Sequence, residues 1–137
     1  MVIRAASEQD LRAIALIQSA APEASHWNPG DYLTFECWVA EQDSAVVGFV
    51  VARPVAEREW EILNLAVAPG SRRQGVGRRL LDDVLTRHPG DFYLEVRESN
   101  QAARRFYEGL GFQVLTKRVR YYSDPGESAI VMKLYSC

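Results

Sequence analysis

Cysteine and histidine are scarce in this chain of 137 residues, with two of each. Cys37 and Cys137 form no spaced disulfide framework, and neither has a histidine at a spacing that suggests a thiol nucleophile. With only His26 and His88 besides, a metal cage is not expected either. Arg, Glu, Asp or Lys breaks every apolar stretch before the roughly 18 residues that a membrane span requires. No basic segment followed by a long apolar run opens the chain, so these absences together predict a reducing, cytoplasmic setting without membrane attachment. A strong charge of one sign is also missing. Sixteen basic against eighteen acidic residues give a net charge of −2, which removes the general electrostatic drive toward nucleic acid. Neither Gly-x-Gly-x-x-Gly nor Gly-Lys-Ser/Thr occurs, which disfavours NAD and ATP as ligands.

What is present is the balance of a soluble globule, with 47% hydrophobic and 25% charged residues, and residues 1–137 are expected to form a single domain. A chain of this length buries about two-thirds of its unfolded surface and needs no disulfide or metal staple. Charge is unevenly spread. Residues 1–68 carry four basic and ten acidic side chains, residues 69–137 twelve and eight. An anionic ligand handled by the second half and a cationic one met by the first would explain this, as would an uneven solvated surface.

Strand and helix signals alternate along the chain. Val2 to Ala6 read as a strand, and Ser7 with Asp10 as the cap of a helix carrying Leu11, Ile14, Ala15 and Ile17, stopped by Pro22. Trp27 and Tyr32 accompany the turn formers Asn28, Pro29 and Gly30 in a loop with some packing of its own. A hairpin follows around Asp43-Ser44, its second strand ended by Pro54, and then a strand from Trp60 to Val67. Val76, Leu80, Leu81, Val84 and Leu85 recur at helical spacing. A strand from Phe92 to Arg97, a helix capped by Ser99-Asn100, and two strands, Val114 to Tyr121 and Ser128 to Leu134, flanking Asp124-Pro125-Gly126, complete the order. The central crossover predicts a mixed α/β sheet with a parallel middle pair, and ligands of such sheets sit beyond the carboxyl ends of the parallel strands.

The junction after Val67 is rich in groups for an anion. Arg72-Arg73-Gln74-Gly75-Val76-Gly77-Arg78 lies between a strand and a helix, where the first backbone amides have no partner and the macrodipole is positive. Gly75 and Gly77 leave room for close approach, and Arg72, Arg73 and Arg78 supply cationic donors, a set that suits a diphosphate. A glycine-containing helix start with solvated arginines is the alternative.

Arg72-x-x-Gly75-x-Gly77 after Asn64-Leu65-Ala66-Val67-x-Pro69 resembles the acyl-CoA pyrophosphate signature of the GNAT superfamily of N-acyltransferases. Leu94-Glu95-Val96-Arg97-x-Ser99-Asn100, Ala102-Ala103 and Phe106-Tyr107-x-x-Leu110-Gly111-Phe112 extend the likeness, most closely to RimI-type enzymes, which acetylate the N-terminal alanine of a ribosomal protein. The match covers about residues 61–134. It implies the GNAT fold, a mixed and mostly antiparallel sheet with a central, splayed parallel pair flanked by helices. It also implies acetyl-CoA as co-substrate: Leu65, Ala66 and Val67 would line its pantetheine arm, Arg72, Arg73, Gln74, Gly75, Val76, Gly77 and Arg78 would hold its diphosphate, and Asn100 would contact it.

Two side chains are candidates for proton transfer. Glu95 shares a strand face with Tyr93 and Arg97; in a parallel strand buried on both sides it needs compensation, which an ion pair with Arg97 would supply. The resemblance instead makes it the general base, directly or through water. Tyr107, beside Leu110 and Phe112, reads as core packing, whereas the resemblance makes it the acid that protonates the departing thiolate. Attack by the amine itself, without an acyl-enzyme, is the expected mechanism, with a backbone amide near Val67 holding the oxyanion.

An α-amine of pKa about 7.8 costs about 1 kcal/mol to deprotonate at pH 7, against about 4.6 for a lysine of pKa about 10.4. A site with one carboxylate base therefore favours an N-terminal acceptor. By the same resemblance, Arg118, Arg120, Tyr121 and Tyr122 correspond to the hairpin that covers the peptide, and the region around Trp27 would help shape the acceptor pocket. The expected partner is a peptide or protein N-terminus starting with Ala or Ser, such as that of a ribosomal protein, with the enzyme a monomer or homodimer. An acetyltransferase for lysine or a small amine, and a non-catalytic CoA-binding regulatory module, are the competing readings; the presence of both Glu95 and Tyr107 argues against the last.

Overall fold

A computed structural model of the chain describes residues 1–21, 27–119 and 127–135. Among them the elements run β1 (Val2–Ala5), α1 (Leu11–Ser19), β2 (Glu36–Gln42), β3 (Ala45–Ala56), β4 (Glu59–Val67), α2 (Val76–Arg87), β5 (Asp91–Arg97), α3 (Gln101–Gly109), β6 (Gln113–Arg118) and β7 (Ala129–Leu134). They fall into two compact units, Met1–Arg53 with Ile62–His88, and Pro54–Glu61 with Pro89–Cys137.

In the first unit β1 pairs antiparallel with β2, and β2 antiparallel with β3, with β4 next in order. The β2–β3 hairpin turns on Asp43 and Ser44, both at left-handed φ (52° and 64°), the backbone that matches the twist of the two strands. Before α1, the Asp10 carboxylate accepts from the Ser7 amide at 2.8 Å and from both Arg4 amino groups at 2.8 and 2.9 Å. The Arg4 hydrogen bonds hold this carboxyl below its ordinary value, with the Ser7 amide adding to the effect against the burial that opposes it. Asp10 thus closes a 3-10 turn, Glu8–Asp10, that runs directly into α1.

Ile14 and Ile17 of α1 cluster with Val39, Phe49, Val51 and Leu63, each contributing about 1.5–3 kcal/mol by leaving water. On α2, Val76, Leu80, Leu81 and Val84 are buried at the spacing expected. Gly48, on the face of β3 opposite Phe49, allows α2 to close down: a Cβ there would stand 3.0 Å from Val76 Cγ1 and 3.2 Å from the Ala66 carbonyl.

Two expectations change here. β3 runs through Pro54 to Ala56, because its pairing with β2 ends at Ala52 and the proline then removes no donor from that ladder. The segment around Trp27 and Tyr32 is more ordered than a loop: Asn28 Oδ1 accepts from the Gly30 amide and starts a 3-10 turn, Pro29–Thr34, that drives Tyr32 fully into the core against Phe49. Pro22 and His26 lie outside the described residues.

In the second unit, β4 and β5 run parallel, with Trp60 opposite Phe92 and Glu61 opposite Tyr93. β7 pairs antiparallel with β5 on one side and β6 on the other, so the last described strand is interior. Phe92, Leu94 and Val96 are buried whereas Tyr93, Glu95 and Arg97 are only half-buried. This corrects the expectation of burial on both sides: with an antiparallel partner, β5 keeps one wetter face. β6 ends at Arg118, short of the strand expected to Tyr121. Arg120, Tyr121, Tyr122, Asp124-Pro125-Gly126 and Cys137 lie outside the described residues. Among the described residues no helix is long and apolar enough to cross a membrane.

Candidate active site

The turn between β4 and α2 brings Arg72, Arg73, Gln74, Gly75, Val76, Gly77 and Arg78 together in one stretch of chain. Pro69–Ser71 form a 3-10 turn, and α2 begins at Val76 with Gly75 as its N-cap. Gly75 sits at φ 79° and Arg73 at φ 65°. The left-handed region costs a non-glycine residue roughly 1–2 kcal/mol, so Arg73 holds strain that the surroundings must impose. A Cβ on Gly75 would meet nothing within 4 Å, so its glycine answers to backbone conformation and leaves open space in front of the helix. The first intrahelical bond runs from the Arg79 amide to the Gly75 carbonyl at 3.0 Å, which leaves the amides from Gly75 to Arg78 without acceptors inside the helix.

Around these amides Arg72, Arg73, Gln74 and Arg78 are exposed. Arg72 Nε donates to the Val67 carbonyl at 3.3 Å, and Arg78 lies 3.8 Å from Asp82 with both side chains mostly in water, a pair worth little in stability. Val76 is buried, so only its backbone amide is available to a ligand. On β4, Ala66 is buried and Leu65 and Val67 are half-buried. Backbone amides at a helix start, an arginine held in left-handed backbone, and open space suit a diphosphate.

In the second unit, Glu95 does not pair with Arg97. Arg118 of β6 donates to Glu95 Oε1 at 2.5 Å, while Arg97 lies 3.6 Å from Glu127. The partner changes because β7 separates β5 from β6 by one strand width, a span an arginine reaches, whereas Arg97 is drawn to Glu127, just ahead of β7. Arg118, expected on the acceptor side, is thus in contact with the candidate base. The Glu95 side chain is 22% exposed and that of Arg118 is 49% exposed, so the pair is accessible and exchangeable.

Tyr107 is buried, with edge-on ring contacts to Phe106 at 5.2 Å and Phe112 at 5.5 Å between centroids. Burial pushes its phenol well above the ordinary tyrosine value and keeps the proton on the oxygen. The ring is thus part of the core. Asn100 Oδ1 accepts from the Ala103 amide at 3.2 Å and caps α3. The Trp27 side chain is on the surface. Among the described residues no group of His, Cys, Asp and Glu could hold a metal ion.

A buried polar cluster in the first unit was not anticipated. Tyr32 donates its hydroxyl hydrogen to Gln18 Oε1; Asn64 Nδ2 donates to Gln18 Oε1 and to the Tyr32 hydroxyl oxygen, each at 3.1 Å. Gln18 Nε2 donates to the Trp27 carbonyl at 2.7 Å, and Asn64 Oδ1 accepts from the Leu65 amide at 3.0 Å. Unpaired, each of these groups would cost about 1–3 kcal/mol. The signal was in the pattern: Gln18 continues the stripe Leu11, Ile14, Ala15, and Asn64 interrupts the apolar alternation of β4.

Fold and turn together define a class: α/β transferases that take an acyl group from coenzyme A. The chain belongs to the acetyltransferase (GNAT) family, whose model matches residues 6–112. It is 40% identical over 114 residues to the [ribosomal protein bS18]-alanine N-acetyltransferase of Escherichia coli strain K12, covering 78% of this chain and 74% of that one. It is 31% identical over 141 residues to the enzyme of the same name from Haemophilus ducreyi, covering 93% and 95%. The crystal structure of the ribosomal-protein-S18-alanine N-acetyltransferase from Escherichia coli superposes with a TM-score of 0.84, over 98% of this chain and 93% of that one, at 31% identity. The protein is an acetyl-CoA-dependent N-acetyltransferase with the mixed sheet of its family.

Proposed function

We propose that this acetyltransferase modifies the N-terminal α-amine of a protein, one beginning with Ala or Ser, and that a ribosomal protein in the cytoplasm is its natural acceptor. Two relatives carry the name [ribosomal protein bS18]-alanine N-acetyltransferase, which supports a ribosomal protein as acceptor. The observation that supports the reading for this chain is that the candidate site offers one carboxylate base, Glu95, held by Arg118 on an accessible strand face. One carboxylate base favours an α-amine, about 1 kcal/mol from its neutral form at pH 7, over a lysine, about 4.6 kcal/mol away.

Bound acetyl-CoA supplies the activated thioester. The amides of Gly75, Val76, Gly77 and Arg78 hold its diphosphate with the guanidinium groups of Arg72, Arg73 and Arg78, and Leu65, Ala66 and Val67 with Asn100 bind the rest of the coenzyme. Glu95 takes the proton from the attacking ammonium or amine, directly or through water. Tyr107, kept protonated by burial, holds the proton that a departing thiolate requires. A backbone amide near Val67 faces the developing oxyanion. Trp27, Arg118, Tyr121 and Tyr122 meet the peptide, with Arg118 handing Glu95 over to the incoming cation. The protein works as a monomer or homodimer.

The test is incubation with acetyl-CoA and three acceptor sets: peptides with free Ala or Ser termini, N-terminally blocked peptides containing lysine, and small amines. Mass spectrometry should place one acetyl group on the free α-amine. Modification of lysines or small amines alone overturns the acceptor assignment, and coenzyme binding with no thiol release for any amine reduces the protein to a binding module.

A further inference from the structure

The cluster of Gln18, Tyr32 and Asn64 is oriented from end to end. Asn64 Oδ1 is committed to the Leu65 amide, so its Nδ2 must face Gln18 Oε1 and the Tyr32 oxygen. Gln18 Oε1 takes donors from both neighbours, so Gln18 Nε2 must face the Trp27 carbonyl. Turning either amide over would set donor against donor and acceptor against acceptor within these bonds, which fixes the orientation of both amides. Tyr32 is fully buried, and Gln18 and Asn64 nearly so.

Stability alone does not call for these residues. Gln18 occupies a place on the buried stripe of α1, and replacing both partners of a buried hydrogen bond by apolar groups of the same shape can be nearly neutral. Moreover, the outer ends of the chain of bonds are backbone groups: the Leu65 amide on β4 and the Trp27 carbonyl. One end belongs to the strand assigned to the coenzyme, the other to the segment assigned to the acceptor.

We propose that Gln18, Tyr32 and Asn64 are positioning residues that couple coenzyme binding at Leu65 to the main-chain position of Trp27, so that acetyl-CoA prepares the acceptor side. The proposal rests on the roles given to Leu65 and Trp27 under the proposed function. A shift of the Leu65 peptide passes to the Asn64 amide, then to Gln18, and reaches the Trp27 carbonyl through rigid, satisfied hydrogen bonds. Coupling of this kind is reciprocal: an acceptor seated against Trp27 tightens the coenzyme by the same factor.

The experiment compares wild type with Gln18→Leu and Tyr32→Phe, the second removing one oxygen and leaving the ring. Hydrogen exchange of residues 27–34 is followed with and without saturating CoA, CoA affinity is measured by calorimetry, and steady-state kinetics are run with an Ala-starting peptide. In wild type, CoA should slow exchange in that segment at least about threefold. In Gln18→Leu this response should vanish with CoA affinity within about twofold of wild type, while the peptide KM rises about tenfold and kcat stays within about twofold; Tyr32→Phe should show the same pattern, weaker.

Persistence of the CoA response in both variants overturns the coupling, as does a fall in kcat and both affinities that merely follows thermal stability. Should Gln18→Leu not fold, Tyr32→Phe decides alone. If no peptide is acetylated yet the exchange response is present and lost in the variants, the acceptor assignment fails and the coupling stands. If the peptide is acetylated with wild-type KM in both variants, the coupling alone fails.

Discussion

Substitution at Gly75 separates what the α2 turn does for the fold from what it does for the coenzyme. At φ 79° an alanine costs about 1–2 kcal/mol, and because its Cβ would meet nothing within 4 Å there is no steric addition. Lower entropy of the unfolded chain offsets about 0.4–1 kcal/mol of this. Gly75→Ala should therefore lower stability by about 1 kcal/mol, a fall in Tm of roughly 4 °C for a domain of this size. The methyl group would stand in the space assigned to the diphosphate. Displacing one charge-assisted amide contact costs about 1.5–3 kcal/mol, so CoA affinity should fall about 10- to 100-fold. Gly75→Asn sharpens the comparison, since asparagine tolerates left-handed backbone: Tm should return close to wild type while CoA binding stays weak. Thermal unfolding of the free protein and titration calorimetry with CoA read the two effects separately. Wild-type CoA affinity in both variants, or its recovery in Gly75→Asn together with Tm, would refute the cradle.

Three further outcomes follow from the same geometry. Glu95→Gln should lower kcat by about 10² or more with CoA affinity nearly unchanged; equal loss of both in kinetics and calorimetry would make Glu95 a structural group. Tyr107→Phe should keep the ring contacts with Phe106 and Phe112 and hold stability within about 1 kcal/mol, yet reduce kcat by about 10², and an unchanged kcat would leave Tyr107 as core alone. Asp10→Asn should destabilise the protein by about 2 kcal/mol at pH 7 in urea unfolding, since it weakens the Arg4 bonds and the turn before α1. The folded carboxyl lies below its unfolded value of about 3.9, so its stabilisation is complete above that pH and fades as pH falls through the folded value; the gap between wild type and variant should close in acid, and a gap that widens there would reverse the assignment.

Much of the site was legible in one dimension because its parts are local. Arg72 to Arg78 form one turn, and a glycine ahead of an apolar 3.6-residue repeat, flanked by guanidinium groups, marks it as a candidate anion site without reference to the rest of the chain. Asn100 as a cap and Tyr107 beside Phe112 were likewise within a turn or two of their partners. The partner of Glu95 was not, because Arg118 is 23 residues away and only the insertion of β7 between β5 and β6 sets the distance between them.

The sequence by itself determined the order of strands and helices, the crossover that makes β4 and β5 parallel, and the cationic turn, since periodicity, caps and backbone preferences act between neighbours along the chain. Only the tertiary structure decided which polar groups are buried together and which charges meet. Gln18, Tyr32 and Asn64 converge from a helix, a 3-10 turn and a strand, and Glu95 exchanges Arg97 for Arg118. Such choices depend on where distant segments come to lie and on the cost of leaving a donor or charge unpaired once water is gone, a cost no local pattern records.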